Sequence, residues 1–269
     1  MSSVALNSSA TGMSALNTQL EVIANNLANA NTPGFKRFRA NLEDLAYIEK
    51  NQPGVESQQV DATRPVGLFV GLGVEVAGTQ QNFTAGAPIP TGNNMDVMID
   101  GDGYFRVNVG EQSGNGIGYT RAGSFTLDQN GRMVMANSTG YALEPEIVIP
   151  SEATNVNISN EGVVTYSLTD STDLIEAGTI QIANFQNSAG LAPVGENLLL
   201  ETYASGNENV GDPGIDGRGR FRSQHLEGSN VDPVIELVDL IRTQRSFEMN
   251  SQALKAADES LQTVVNMSR

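Results

Sequence analysis

A seven-residue apolar repeat with almost no charge around it opens this 269-residue chain. Leu6, Met13, Leu20 and Leu27 stand seven apart, and Leu16, Ile23 and Ala30 follow the last three of them by three residues, so seven of eight seam positions are apolar. That spacing is the heptad of a helical coil. Off the seam the residues are Asn, Ser, Thr, Gln and Ala, and Glu21 is the only charged side chain among the first 31 residues. A solvated helix surface carries more charge than this, so the pattern reads as a helix made to pack among other helices. It is expected to run from about Val4 to Ala30. Pro33 then pushes the residue before it out of the α region, and Gly34 permits a turn.

The chain closes on a second helical pattern. Asp232 is placed as its N-cap, Pro233 as the first helical residue and Glu236 in the opening turns. Leu240, Phe247, Leu254 and Leu261 repeat every seven residues, joined near the start by Val234, Leu237, Val238 and Ile241. The accompanying row, Thr243, Asn250, Ala257 and Val264, is ragged, so the partner of this helix must supply much of the seam. The candidate assembly interface is therefore Leu6, Met13, Leu16, Leu20, Ile23, Leu27, Leu240, Phe247, Leu254 and Leu261. The plainer reading of the same heptads is a helical hairpin within one chain.

Between the helices the period changes to two. Phe105, Val107 and Val109 alternate with Arg106 and Asn108, and Tyr119, Phe125 and Leu127 share parity, as half-buried strands require. Asp128-Gln129-Asn130-Gly131 reads as a hairpin connection into Met133, Val134 and Met135. Further strands are expected at 141–149, 162–168, 179–185 and 197–202. Residues 36–75 fit neither period. They are expected to start with a short helix near Ala40 to Ile48, continue through polar Glu49 to Arg64, and reach a Gly-rich strand from Gly67 to Val76.

The formal charge of -16 sits in the middle of the chain. Residues 1–50 are net 0 and residues 231–269 net -2, leaving -14 for residues 51–230. Such a chain is repelled by nucleic acid, which rewards basic patches. The absence of cysteine excludes disulfides and thiolate metal sites. No run of 18 apolar residues is present, which argues against membrane insertion, and the N-terminus lacks the basic-then-apolar pattern of a cleaved secretory signal.

Catalysis has little to stand on. His225 is the only histidine, so no local spacing supports a triad or a zinc site. Glu144 and Glu146 flank Pro145 and read as a sheet edge rather than an acid/base pair. Asp100-Gly101-Asp102-Gly103 lacks the remaining ligands of a calcium loop. We expect no catalytic residue, no metal and no cofactor.

Several stretches together carry a resemblance. Asn25-Asn26-Leu27-Ala28-Asn29-Ala30-Asn31-Thr32-Pro33-Gly34-Phe35-Lys36 is similar to the signature shared by the rod and hook proteins of the bacterial flagellum. Asp96 to Phe105, Tyr119 to Phe125, Gly228 to Val231 and Gln244 to Ser251 match in the family's order. The stretch Tyr47 to Pro65, with Gln52, Pro53 and Gly54, resembles the extra segment that marks the distal rod against a typical hook protein. Ala122 departs from the family, in which an acidic residue is common there.

The resemblance implies an α+β fold, with long N- and C-terminal helices packing as a coiled coil and an antiparallel β-rich middle domain. It divides the chain into a terminal-helix domain (1–32 and 231–269), a connector region (33–76 and 216–230) and a β-rich outer domain (77–215). It implies a structural subunit of the distal rod, self-assembling into a helical drive shaft that transmits torque from motor to hook. The implied partners are the chain itself, proximal rod proteins, hook protein, basal-body ring proteins and the flagellar export apparatus. The implied place is the periplasm-spanning rod of the basal body, reached without a cleaved signal. Proximal rod or hook protein is the near alternative, and a peptidoglycan-acting enzyme of the envelope is the distant one.

Overall fold

The computed structural model describes residues 2–51, 56–57, 60–63, 66–110, 115–168 and 173–267. Gln52, Pro53 and Gly54 lie outside the described residues. The chain is α+β, with an N-terminal helix, a β-rich middle and a C-terminal helix. It divides into two compact units, one of Met1–Ala28, Phe38–Gln81 and Asp232–Arg269 and the other of Asn29–Arg37 and Asn82–Val231. Among the described residues no helix is long and apolar enough to cross a membrane.

The first unit contains α1 (Ser2–Ala28) and α2 (Pro233–Met267). The start of α2 follows the sequence signal: the Asp232 carboxylate accepts the backbone N–H of Val234 at 2.9 Å and of Ile235 at 3.3 Å, so two of the helix's orphan donors are capped. The helices run antiparallel, because Asn26 near the end of α1 meets Glu236 near the start of α2, while Gly12 lies against Asn250.

The rest of this unit is a nested antiparallel ribbon. Phe38–Asp44 pairs with Val74–Gln81, Tyr47–Asn51 with Leu68–Gly71, and Glu56–Ser57 with Val60–Thr63. The helix expected at Ala40 to Ile48 is therefore strand, with a bulge between Asn41 and Leu42. Ala, Leu and Glu favour helix locally, but cross-strand pairing with Val74 and Val76 overrides that weak preference.

The second unit is built on a nine-stranded antiparallel sheet. Its central strand, Tyr104–Asn108, pairs with Ile117–Thr120 on one side and with Ala142–Leu143 and Ile182–Asn184 on the other. The hairpin read from Asp128 to Gly131 joins Phe125–Leu127 to Met133–Met135, closed by Gly131 N–H donating to the Asp128 carbonyl at 2.8 Å. The expected strand at 141–149 is broken: Ala142–Leu143 is a strand, and beyond Pro145, which has no N–H to give a ladder, pairing resumes as a single bridge between Val148 and Arg132. Ala153–Ile158, Val163–Leu168 and Leu174–Thr179 form a separate three-stranded sheet.

Tyr104 and Phe105 are both buried although they point to opposite faces. The reason is a core on each face. Phe105 stacks on Phe221 at 5.5 Å and meets Phe125 edge-on at 5.1 Å, whereas Tyr104 and Tyr119 pack edge-on against Phe185. Leu127, which shares parity with Phe125, stands at the sheet edge and is exposed.

Candidate assembly site

The buried residues of α1 include Gly12, Ala15, Ile23 and Asn26, of which Gly12 and Asn26 meet α2 at Asn250 and Glu236. Gly12, Ala15 and Asn26 each stand one residue before a seam position, Met13, Leu16 and Leu27, whereas Ile23 is itself in the seam. A shift of one residue turns a helix face by about 100°, and its consequence is direct. Leu6, Met13, Leu16, Leu20 and Leu27 flank the contact and are half-buried, and among the α1 candidates only Ile23 is buried. Gly12 permits the close approach, since a Cβ there would stand 3.2 Å from Asn250 Nδ2. On α2 the inward row is Glu236, Thr243 and Asn250, with Leu240, Phe247, Leu254 and Leu261 half-buried beside it. Val234, Leu237, Val238 and Ile241, expected to join the seam, instead face outward.

The polar end of this contact is a clamp. Asn26 Nδ2 donates to the Phe38 carbonyl at 2.8 Å, and Asn26 Oδ1 accepts the Phe38 N–H at 2.9 Å. The side-chain amide thus takes the place of a paired backbone and fixes the first strand to the end of α1. The same Nδ2 reaches Glu236 Oε2 at 3.3 Å. Replacing Asn26 with Leu strips two backbone groups of their partners, which costs about 1–3 kcal/mol. Amide exchange at Phe38 is the measurement, and its acceleration is the expected result.

Residues 29–37, the core of the family signature, belong to the second unit. Gly34 adopts φ +75°, and a Cβ would lie 2.7 Å from the Ala122 backbone nitrogen, so only glycine fits. Its N–H donates to the Glu227 carbonyl at 2.8 Å. The Pro33 carbonyl accepts Asn197 Nδ2 at 3.0 Å, and the Arg37 N–H donates to Asn230 Oδ1 at 2.7 Å. Phe35 is buried, Asn29 is half-buried, and Asn25 and Asn31 are exposed.

Beneath this segment lies a charge cluster that the sequence reading missed. Lys36 Nζ meets Glu227 Oε1 at 2.5 Å and the Thr84 carbonyl at 2.8 Å, while Arg121 Nη1 reaches Glu227 Oε2 at 3.5 Å. All three side chains are buried. Gly86 N–H also donates to Glu227 Oε1 at 2.9 Å, and the Arg121 guanidinium stands 5.2 Å from the Tyr104 ring centroid, within cation–π range. Burial lowers the Lys36 pKa below its ordinary value, opposed by Glu227 and reinforced by Arg121. Two cations thus depend on one carboxylate, helped by carbonyls and an aromatic face. The one sequence signal was a lone lysine closing an uncharged, Asn-rich signature.

Among the described residues no cluster of His, Asp or Glu is arranged to hold a metal. His225 is half-buried, with Nδ1 2.8 Å from the Ser223 carbonyl. The chain ends thus pair as near-neutral helices, with a β unit inserted in sequence between them.

Three family profiles match in the chain's own order. "Flagella basal body rod protein" covers residues 6–36, "Flagellar hook protein FlgE/F/G D1 domain" residues 98–166, and "Flagellar basal body rod FlgEFG protein C-terminal" residues 222–267. The flagellar basal-body rod protein FlgG of Agrobacterium fabrum is 43% identical over 255 residues, covering 95% of each chain. Its namesake in Caulobacter vibrioides is 40% identical over 260 residues, covering 96% of this chain and 97% of the relative. The rod protein FlgF of the same organism is 32% identical over 235 residues, covering 87% and 84%. The chain belongs to the flagellar basal-body rod protein family. It is a structural subunit of the basal-body rod, not an enzyme.

Proposed function

We infer that this subunit builds the distal rod, polymerising into a helical tube whose inner wall is made of terminal helices and which carries torque from motor to hook. The observation that carries the reading is the outward face of α2. Val234, Leu237, Val238 and Ile241 are 71, 50, 41 and 42% exposed, and they lie three to four residues apart on one helix face. A lone chain gains nothing from that stripe, and a row of this length and spacing is the seam of a multi-helix coil. The half-buried Leu row of α1 flanks the same helix pair and serves the same packing. Greater identity to FlgG than to FlgF within one organism supports the distal position.

The division proposed here is terminal helices (1–32 and 231–269), connectors (33–76 and 216–230) and an outer β domain (77–215). The ribbon from Tyr47 onward, with Gln52, Pro53 and Gly54 as its distinguishing residues, is the connector that wedges between neighbouring subunits and keeps the shaft straight. Its exposed apolar groups, Tyr47, Ile48, Leu68 and Phe69, support that role, because an isolated two-stranded ribbon is marginal in water. Partners of the tube are proximal rod proteins, hook protein, ring proteins and the export apparatus that delivers the chain without a cleaved signal.

The test is polymerisation of the purified chain, followed by electron microscopy. Straight tubes are expected from the full chain, and curved or more flexible tubes after deletion of residues 50–63. A chain that remains monomeric at high concentration overturns the assembly reading. Straight tubes of unchanged persistence length from the deletion variant overturn the wedge.

A further inference from the structure

The chain passes between its two compact units four times, after residues 28, 37, 81 and 231. We propose that the side-chain amide of Asn230, in the second unit, is the lock that holds three of these passages under load; this rests on the torque-carrying reading above. A chain that carries torque feels it first where it enters the β unit. The residues at those three entries are Arg37, Asn82 and Val231.

The pairing of Phe38–Asp44 with Val74–Gln81 ends at Phe38 and Gln81. Just beyond, Asn82 N–H donates to the Arg37 carbonyl at 2.8 Å, and an antiparallel pair would exchange the return bond between the Arg37 N–H and the Asn82 carbonyl. The Asn230 amide is bonded to both of those groups instead. Its Oδ1 accepts the Arg37 N–H at 2.7 Å, and its Nδ2 donates to the Asn82 carbonyl at 2.7 Å. One side chain, with a carbonyl and an NH2 in fixed relation, ties the entries at Arg37 and Asn82 to its own, one residue before Val231.

The lock is anchored inward. Asn230 Nδ2 also lies 3.1 Å from the Thr84 carbonyl and 3.1 Å from the Thr84 hydroxyl, and Lys36 of the buried cluster donates to that same carbonyl at 2.8 Å. The Gly86 N–H is held by the Glu227 carboxylate at 2.9 Å, and the Ala87 carbonyl by the Gly228 N–H at 2.9 Å. Residues 82–87 are therefore tied along their length to residues 227–230, and bonds set side by side share a pull rather than opening in turn. The first unit has a counterpart in Asn26, which brackets both backbone groups of Phe38 and reaches Glu236.

At rest the amide adds little. Asn230 is half-buried and Asn82 and Thr84 are exposed, so water can replace each bond and its net worth is small. Under a pull its place decides otherwise, because none of the three entries can peel away before the bonds at Asn230 break. The effect of losing the amide therefore depends on where the load enters, which an ordinary stabilising contact does not show.

The chain has no cysteine, so single-molecule pulling handles can be attached at chosen sites. Handles at Ala77→Cys and Gln129→Cys load the β unit through its entries, and handles at Gln129→Cys and Asn207→Cys load it from within; all three positions are exposed. Asn230→Leu, close in size but without the amide, should open the β unit about tenfold faster at the same force in the first geometry, and at the parent rate in the second. Asn230→Gln, which keeps the amide on a longer stem, should fall between Asn230→Leu and the parent chain. Asn187→Ala, which loses a bond to the Ala204 carbonyl away from the entries, should leave the first geometry unchanged. An equal effect of Asn230→Leu in both geometries marks an ordinary structural contact and overturns the lock, as does the parent rate in the first geometry. Both are read on the monomer, so their failure leaves the assembly reading standing, and failure of the parent chain to polymerise is seen separately.

Discussion

Replacing Glu227 with glutamine will destabilise the second unit by about 3–5 kcal/mol, the cost of leaving a buried charge without its partner. The carboxylate accepts bonds from Lys36, Arg121 and Gly86, and an amide keeps the shape while removing the charge both cations face. The pH dependence has a definite sign. Burial already lowers the folded pKa of Lys36 below 10.5, and Glu227 is the group that opposes the shift. Without it the folded value falls further, so the unfolded chain binds more protons throughout the window between that value and 10.5. Stability of the variant therefore rises with pH across that window and is lowest at neutral pH and below. Adding Lys36→Met to the variant abolishes the alkaline rise, because the lysine that produces it is gone; Tyr104, whose phenol pKa is raised by burial, can only lower stability as pH rises. Urea denaturation followed by circular dichroism at pH 7 and pH 9.5 reads both effects. Unchanged stability at pH 7, or a rise of stability with pH that persists without Lys36, shows that the cluster does not hold the post-helix segment.

The cluster also explains where legibility ended. Helix ends and tight turns are written locally: Asp232 and Pro233 announce α2, and Asp128 to Gly131 announce a hairpin, because the bonds that fix them span four residues or fewer. Lys36 and Glu227 are separated by 191 positions, and Arg121 and Glu227 by 106. No spacing rule reaches that far. The ribbon strands failed for a related reason. Phe38–Asp44 has helix-prone composition, and its partner Val74–Gln81 lies across the whole extra segment, so tertiary pairing decided against the local preference.

Helix orientation was half legible. The seven-residue period of α1 is real, but periodicity fixes a face only when the inward residues are the apolar ones. Here the contacts with α2 are made by Gly12 and Asn26, suited to close approach and to a backbone clamp rather than to hydrophobicity, with Ala15 and Ile23 the buried apolar residues of the same helix. The leucines flank it. On α2 the ragged row of Thr243 and Asn250 faces inward and the apolar row near the start faces out. In the assembly proposed above, the outward apolar face is the one left for a second neighbour.

That distinction separates two kinds of helix variant. In Phe247→Asp or Leu20→Asp a charge enters the flank of the contact between α1 and α2, and the assembled tube would have to bury it unpaired. At about 3 kcal/mol or more per subunit, the critical concentration rises by about a hundredfold or more, and tubes vanish at ordinary concentrations. The monomer pays as well, since both side chains are already half-buried there, and helical signal falls with assembly. Val238→Asp acts differently. Val238 is 41% exposed in the single chain, so the monomer keeps its helical signal and its β unit, yet the outward stripe now carries a charge where a neighbouring helix must pack. Polymerisation assays on purified protein, with circular dichroism of each monomer, are the measurement. The expected pattern is loss of tubes in all three variants, with loss of monomer helix only in Phe247→Asp and Leu20→Asp. Normal tubes from Val238→Asp would place the assembly seam elsewhere than the outward face of α2. Normal tubes from the other two would remove the heptad rows from the assembly altogether.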